Sequence, residues 1–547
     1  MDSLNGTTPE TRPAKRRDLP LNLIVLIISY LDDVADIARI TRTSRLFYYM
    51  TLPRLYEKVT LRSYHEIRYN NGRPEGYGGG SPFSMGLAGL ITKNFAGYVR
   101  EWTLEGQWKE SDLDDFSKGR VPDNSMMLNI SVRAAMDKMT KLESFSWKLD
   151  TKPLHPIYQG LLLRPSLTSL TLRFPNTRTP RPTVLIPPMV NLRTFKALSI
   201  DPLCHPDDFS LLLLECKKLE HLLLHFSPRM RDMGEPSTSL DAYFGRCRAA
   251  RHVLRLKSME LYNLYARHDH EMEHIISIRD MEKLSFVNCI SNNDPMTVFI
   301  DNTWSKQVDL KMIPSNCKTM IAGPPDKTHA AMLALFSGLE KLYVFTPRRK
   351  IHSRATSSTD TPIGASPLTP TPPTSTTSRE EDVSVASDYI AAITVHHGKT
   401  LRHLMLPDHW GFGVEVLTRL FESCPNLEQL AMGLDGSDVM LMRPFMKLVP
   451  RLFALRILIE PGTSLFDQFQ ATEMGMQEKL IAAGFSMPEY HSIRWLGIGT
   501  YVFELSRAVK TDGKNHHKGV VWHRECRKVS KNDVKHLEIW NADCWDF

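Results

Sequence analysis

Paired cysteines are missing from this chain. Its 547 residues include eight cysteines, and no two of them stand as Cys-x-x-Cys. A zinc ribbon needs that spacing, and the scatter equally argues against a disulfide framework. The cysteines read as reduced core residues. A bilayer crossing is missing too, since the apolar run Leu23–Ile28 falls far short of the ~20 residues required. So is a strong charge excess: 68 basic against 61 acidic residues leave +7, mild for this length, and this singles out no nucleic-acid partner. The Gly-rich run Tyr69–Pro82 lacks the preceding strand and the Lys-Ser/Thr of a phosphate cradle, so it reads as a flexible loop. No nucleophile and base can be paired. His268-Asp269-His270 with His274 lies in RHDHEMEH, a charged stretch expected to be a solvated helix face rather than a metal site. His396-His397 and His516-His517 read as pairs in polar loops. Arg524–Lys535 could meet phosphates but lacks interleaved aromatics. No catalytic residue, cofactor or metal ligand is expected, and no membrane.

What is present starts at Asp18. The stretch Asp18–Leu61 predicts three short helices. Asp18 can cap the first, with Pro20 in its opening turn. Leu23, Ile27 and Leu31 make one stripe, with Ile24 and Ile28 beside it, so Leu23–Ile28 is apolar all round. Such a helix wants cover on every side, and a three-helix unit covers one face only. The second helix should start at Asp32 or Asp33. The third should follow the cap hydroxyls of Thr43-Ser44 and stop before Pro53. This pattern resembles the F-box. The matching residues are Leu19-Pro20, Leu23, Ile27-Ile28, Leu31, Asp36, Thr43-Ser44-Arg45-x-Phe47, and Pro53 with Leu55-Tyr56. It departs at Asn22, where the family often has Glu, and at Phe47, where Trp is common. The resemblance implies docking to the Skp-type adaptor of a cullin-based ubiquitin ligase through Leu19, Pro20, Leu23, Ile24, Ile27, Ile28 and Leu31.

From Val99 onward a phrase recurs: an apolar residue, another three places on, a third two further. Leu142/Phe145/Trp147, Leu167/Leu170/Leu172, Leu219/Leu222/Leu224, Leu401/Leu404/Leu406 and Leu427/Leu430/Met432 carry it, among thirteen copies ending at Val534/Leu537/Ile539. In the regular parts the copies start 25 to 27 residues apart. This is the leucine-rich-repeat phrase at a repeat-like period. The last two apolar positions alternate on a short strand and point inward, and the residues between them point outward. Segments such as Asp207–Glu215 and Gly413–Glu422 read as helices between strands. Outward positions line one face, the usual binding surface of a repeat array. They give His221, His225, Tyr262, Tyr343, Phe345, Met405 and Trp495 as the candidate substrate face, with Leu223 among them and Trp540 in a terminal cap. Exposed aromatics there would suit a protein partner.

The expected class is therefore α/β: a short helical F-box followed by an irregular leucine-rich-repeat solenoid, or horseshoe. The expected organisation is a disordered tail over 1–17, with Lys15-Arg16-Arg17 as solvated charge, neither signal peptide nor anchor. Then come the F-box over 18–61, a flexible linker over 62–97, repeats over 98–345, a disordered Ser/Thr/Pro-rich insertion over 346–385, and repeats with a cap over 386–547. Thr361, Ser366, Thr369 and Thr371 each precede Pro in the insertion and suit proline-directed kinases. As a whole the chain resembles F-box/leucine-rich-repeat proteins of the kind expanded in filamentous fungi. That resemblance implies a non-catalytic substrate receptor of a Skp–cullin–F-box ligase, binding adaptor, cullin through it, and an unknown protein target, in cytoplasm or nucleus. A scaffold that uses the adaptor only for stability is the alternative, and an enzyme with an unseen site the third.

Overall fold

A computed structural model describes residues 19–70, 72–75, 81–108, 114–175, 181, 183–204, 206–229, 241–266, 275–288, 290–291, 315–346, 377–434, 439–459, 472–512 and 520–542. It opens with three helices, α1 (Leu21–Ser29), α2 (Val34–Ile40) and α3 (Arg45–Leu55). Asp33 caps α2 by accepting from the Ala35 N–H at 2.7 Å, and Ser44 caps α3 by accepting from Phe47 at 3.1 Å. Pro20, not Asp18, stands at the cap position of α1, without a side-chain cap bond, and Asp18 lies outside the described residues. Pro53 does not stop α3 but sits inside its last turn. Ile28, Ile37 and Leu52 are the buried apolar residues of the unit. The Arg54 guanidinium donates to the Ile28 carbonyl across it.

The chain leaves α3 straight into a single 16-stranded sheet. In chain order its strands are β1 (Lys58–Ser63), β2 (Glu101–Gly106), β3 (Ser144–Leu149), β4 (Ser169–Arg173), β5 (Thr194–Ile200), β6 (His221–Phe226), β7 (Ser258–Tyr262) and β8 (Lys283–Val287). They continue as β9 (Thr319–Gly323), β10 (Lys341–Val344), β11 (His403–Met405), β12 (Gln429–Met432), β13 (Ala454–Ile457), β14 (Trp495–Ile498), β15 (Tyr501–Leu505) and β16 (Cys526–Val529). Each strand pairs with the next in sequence. Pairing is parallel from β1 to β14 and antiparallel for the last two steps. A regular hydrogen-bond ladder starts the strands. The Glu57 carbonyl accepts from Arg100 and Glu101, the Arg100 carbonyl from Glu143 and Ser144, and the Glu143 carbonyl from Thr168 and Ser169. The same double bond recurs up to Phe453, which accepts from Arg494 and Trp495. One carbonyl per repeat thus fixes the entry of the next strand, which holds the register although the connections differ in length.

The inward residues of the phrase, such as Trp102, Phe145, Leu170, Phe195, Leu284, Leu342, Leu404 and Leu430, belong to one buried core. Helices α4 (Pro82–Thr92), α5 (Asp123–Lys138), α6 (His155–Leu162), α7 (Ser210–Glu215), α8 (Asp241–Ala249), α9 (Lys327–Leu333), α10 (Thr377–Ala392), α11 (Val414–Ser423) and α12 (Met474–Gly484) lie in the connections. Leu128, Val132, Ile157, Leu212, Phe244, Leu333 and Leu417 carry their share of that core. Cys216 and Cys424 are buried where α7 and α11 end, and burial raises both thiol pKa values, that of Cys424 to about 12. Beneath α6, Asp207 accepts from Tyr158, from the Val184 N–H at 3.0 Å and from Lys152 at 2.5 Å, with Lys152 itself 4% exposed. Burial raises the Asp207 pKa, against the pull of Lys152.

Several boundaries differ from expectation. Residues 62–97 are not one flexible linker, because Phe83, Leu87 and Leu90 give α4 an apolar side that joins the core. The expected insertion 346–385 overlaps α10 from Thr377, and 347–376, with all four Ser/Thr-Pro sites, lies outside the described residues. Residues 267–274 and 513–519, with their histidines, also lie outside. His397 is not in a polar loop. It is buried, its Nε2 2.9 Å from the Leu333 carbonyl while Nδ1 accepts from Leu339 at 3.4 Å. Arg524 meets no phosphate: it is 3% exposed and donates to the carbonyls of Ser506, Phe485, Tyr490 and Ile493. Desolvation lowers its pKa to about 10.

Candidate functional site

Two surfaces stand out. The first is α1. Leu23 and Ile27 are 43% and 57% exposed, with Leu19, Leu21, Val25, Leu26 and Tyr30 open as well. Pro20 is exposed, while Ile24 and Leu31 are half-buried. Ile28 departs from the expected docking set. It is the one buried residue of α1, because its face alone meets the other two helices. Val34, Leu46, Tyr48 and Tyr49 are exposed as well, which the stripe along α1 did not reveal, since they lie on α2 and α3. So many exposed apolar side chains on one small helical unit suit an interaction site. The unit is fixed to the sheet by the short Tyr56-Glu57 connection and by stacking of Tyr56 on Phe95, ring centres 4.0 Å apart.

The second surface is the outward face of the sheet. Tyr262, Tyr343, Phe345, Met405 and Trp495 do come together there, in one apolar cluster with Leu198, Leu223, Val287 and Ile321. They are not exposed, however: none exceeds 7%. His225 is buried too, with the Ser199 N–H donating to its Nδ1 at 3.1 Å and Asn263 Nδ2 at 3.1 Å from its Nε2. Only His221 is open, beside Glu220. Part of the cover is the chain's own C-terminal segment. Val534, Leu537, Ile539 and Trp540 belong to the same cluster. The phrase Val534/Leu537/Ile539 is thus not a further strand. A 3-10 turn at Glu538–Trp540 carries it across the strands instead of beside them.

Polar groups anchor this segment over β10 to β14. Tyr343 Oη donates to Glu538 Oε2 at 2.6 Å, and Lys341 Nζ lies 2.5 Å from Oε1. His403 Nδ1 is 3.5 Å from the same carboxylate and 2.9 Å from Tyr343 Oη. These donors, His403 first and then Lys341 and Tyr343, hold the Glu538 carboxyl well below the usual range against the cost of burial. Burial raises the Tyr343 phenol further, with Glu538 adding to it. The Ile539 N–H donates to Gln429 Oε1 at 3.3 Å, and its carbonyl accepts from Arg456 at 2.7 Å. Trp540 packs close to Gly497, where a Cβ would come to 2.9 Å from Arg456 Cγ and 3.0 Å from the indole. A ligand-like grip on a main-chain segment is therefore built into this part of the face.

The other part, β1 to β5, is polar. Thr60, Thr103, Ser146, Thr171 and Lys196 form one cross-strand row. Lys148 and Arg173 rise beside it. No three His, Cys, Asp or Glu side chains among the described residues converge as a metal would need, and no described helix is long and apolar enough to cross a membrane. Among curated proteins no match is found. Residues 17–62 match the family model of the F-box-like domain. They are the exposed three-helix unit and its exit into β1, so the chain carries an F-box-like domain joined to a mixed α/β region with one long sheet.

Proposed function

We propose that the chain is the substrate-recognition subunit of a Skp–cullin–F-box ubiquitin ligase. F-box domains bind Skp-type adaptors, and the open side of α1 is the surface offered for it here. The stack that follows is read as an irregular leucine-rich-repeat solenoid of the filamentous-fungal kind, holding a target protein on its outward face. Strands in chain order, all parallel to β14, with helices in their connections, support that reading. The chain would catalyse nothing and act by proximity, in cytoplasm or nucleus. The observation that carries the proposal is the uncovered apolar side of α1 within a matched F-box-like domain.

A non-ligase scaffold is the second reading. It is favoured by the C-terminal segment, which fills part of the surface where a target was expected. Co-purification with adaptor and cullin separates the two, since the scaffold recovers adaptor alone. Within that experiment Ile27→Asp should lose the adaptor without altering the melting of the sheet. Ile28→Ala, by contrast, should cost about 2–5 kcal/mol through a cavity. Failure of the unmodified chain to recover adaptor would sink both readings.

A further inference from the structure

We propose that the polar half of the outward face, over β3 to β5, binds an acidic segment of a partner protein through Lys148 and Lys196. This rests on the substrate-receptor reading and names the chemistry of the target. The C-terminal segment grips β10 to β14 and, among the described residues, makes no bond to this half, where Lys148 and Lys196 are half-exposed.

The three cations stand on adjacent strands. Thr171 pairs in register with Lys196 and with Ser146, while Lys148 and Arg173 each follow the paired residues Trp147 and Leu172 by one position. Two strand spacings separate the outer pair, about 10 Å. All three are half-buried on the face. Glu105 stands level with Lys148 and is bonded to Arg62 Nε at 2.7 Å. Glu101 is likewise taken by Lys58 at 2.8 Å. Among the described residues neither Lys148 nor Lys196 has a carboxylate within ion-pair distance. Burial lowers the Lys148 pKa, Glu105 opposes that and the neighbouring Lys196 and Arg173 add to it, so an anion arriving beside Lys148 offsets the cost of its burial. The row Thr60, Thr103 and Ser146 supplies hydroxyl donors on successive strands, which suits carboxylates spaced along an extended chain.

Nucleic acid fits less well. The patch is three strands wide and flanked by Glu101 and Glu105 on one side and Glu260 on the other, so a track of phosphates would meet acid at both ends. The nearby aromatic, Tyr262, is buried and bonded to Glu260 at 3.1 Å, leaving no ring there for base stacking.

The test uses the purified full chain and three labelled probes in fluorescence anisotropy: a Glu/Asp-rich peptide of about ten residues, its Gln/Asn counterpart, and a single-stranded oligonucleotide. The acidic peptide should bind tightest and weaken with salt. Lys148→Gln with Lys196→Gln should weaken it roughly tenfold or more. Lys257→Gln, in a rim ion pair with Glu220, should leave it unchanged. The double variant should melt like the parent and still recover adaptor, so a failed F-box and a failed peptide site give different results. Equal binding of the Gln/Asn peptide, tighter binding of the oligonucleotide, or an unaffected double variant would each overturn the proposal.

Discussion

At the scale of single residues, buried charge decides most. Asp207 and Lys152 are 1% and 4% exposed and pair at 2.5 Å. Removing one partner strands the other, which typically costs about 3–5 kcal/mol. Asp207→Ala should therefore lower the denaturation midpoint markedly, and adding Lys152→Met should recover much of the loss, both read by urea unfolding. Glu538 behaves differently because its side chain is 45% exposed, so solvent screening limits its pairing to about 1 kcal/mol or less. Its folded pKa is depressed, so its contribution is complete above the unfolded value of ~4.3 and fades as pH falls below it. The melting difference between the parent chain and Glu538→Gln should be present at neutral pH and shrink in acid below that value. A difference that grows in acid would contradict the ion-pair assignment. Neither pair was legible in the sequence, since Asp207 and Glu538 acquire their partners only through folding, Glu538 from strands almost 200 positions away.

At the scale of elements, strands were legible where chemistry repeats. Alternation of inward apolar residues located β2 to β8 and β10 to β14, because burial of one face leaves a period of two in the chain. β1, β9, β15 and β16 escaped: Val59-x-Leu61 follows the F-box directly, the small Ala322 weakens the phrase Met320-x-Ala322, and the last two strands run antiparallel outside the repeat, β16 inside what reads as a basic run. The final phrase misled for the converse reason. Apolar spacing says that Val534, Leu537 and Ile539 are buried, not against what, and they are buried on the far side of the sheet from the other copies. The expected aromatic face failed with it, since those rings have their partner within the chain. Truncation before Ser530 should consequently expose Tyr343, Met405 and Trp495, each contributing about 1.5–3 kcal/mol when covered. A melting temperature lower by several degrees, together with new binding of a hydrophobic dye, is expected. An unchanged melt would show that the segment contributes little to holding that face.

At the scale of the whole molecule, the parallel run fixes more than a surface. Thirteen steps separate β1 from β14, about 60 Å at the usual strand spacing, and the three-helix unit enters the first strand without a loop. Among the described residues the stack ends in two outer strands, and an open strand edge is a template for another chain. The outermost strand at one end presents Lys58 and Arg62, and the outermost at the other presents Arg527 and Lys528. Each outer strand thus carries cations whose acids, Glu101, Glu105 and Glu504, stand one strand further in. The last strand is stopped in a second way, because its Lys528 N–H already donates to Glu478 Oε1 at 2.8 Å, so another copy would have to displace that carboxylate before it could add a strand there.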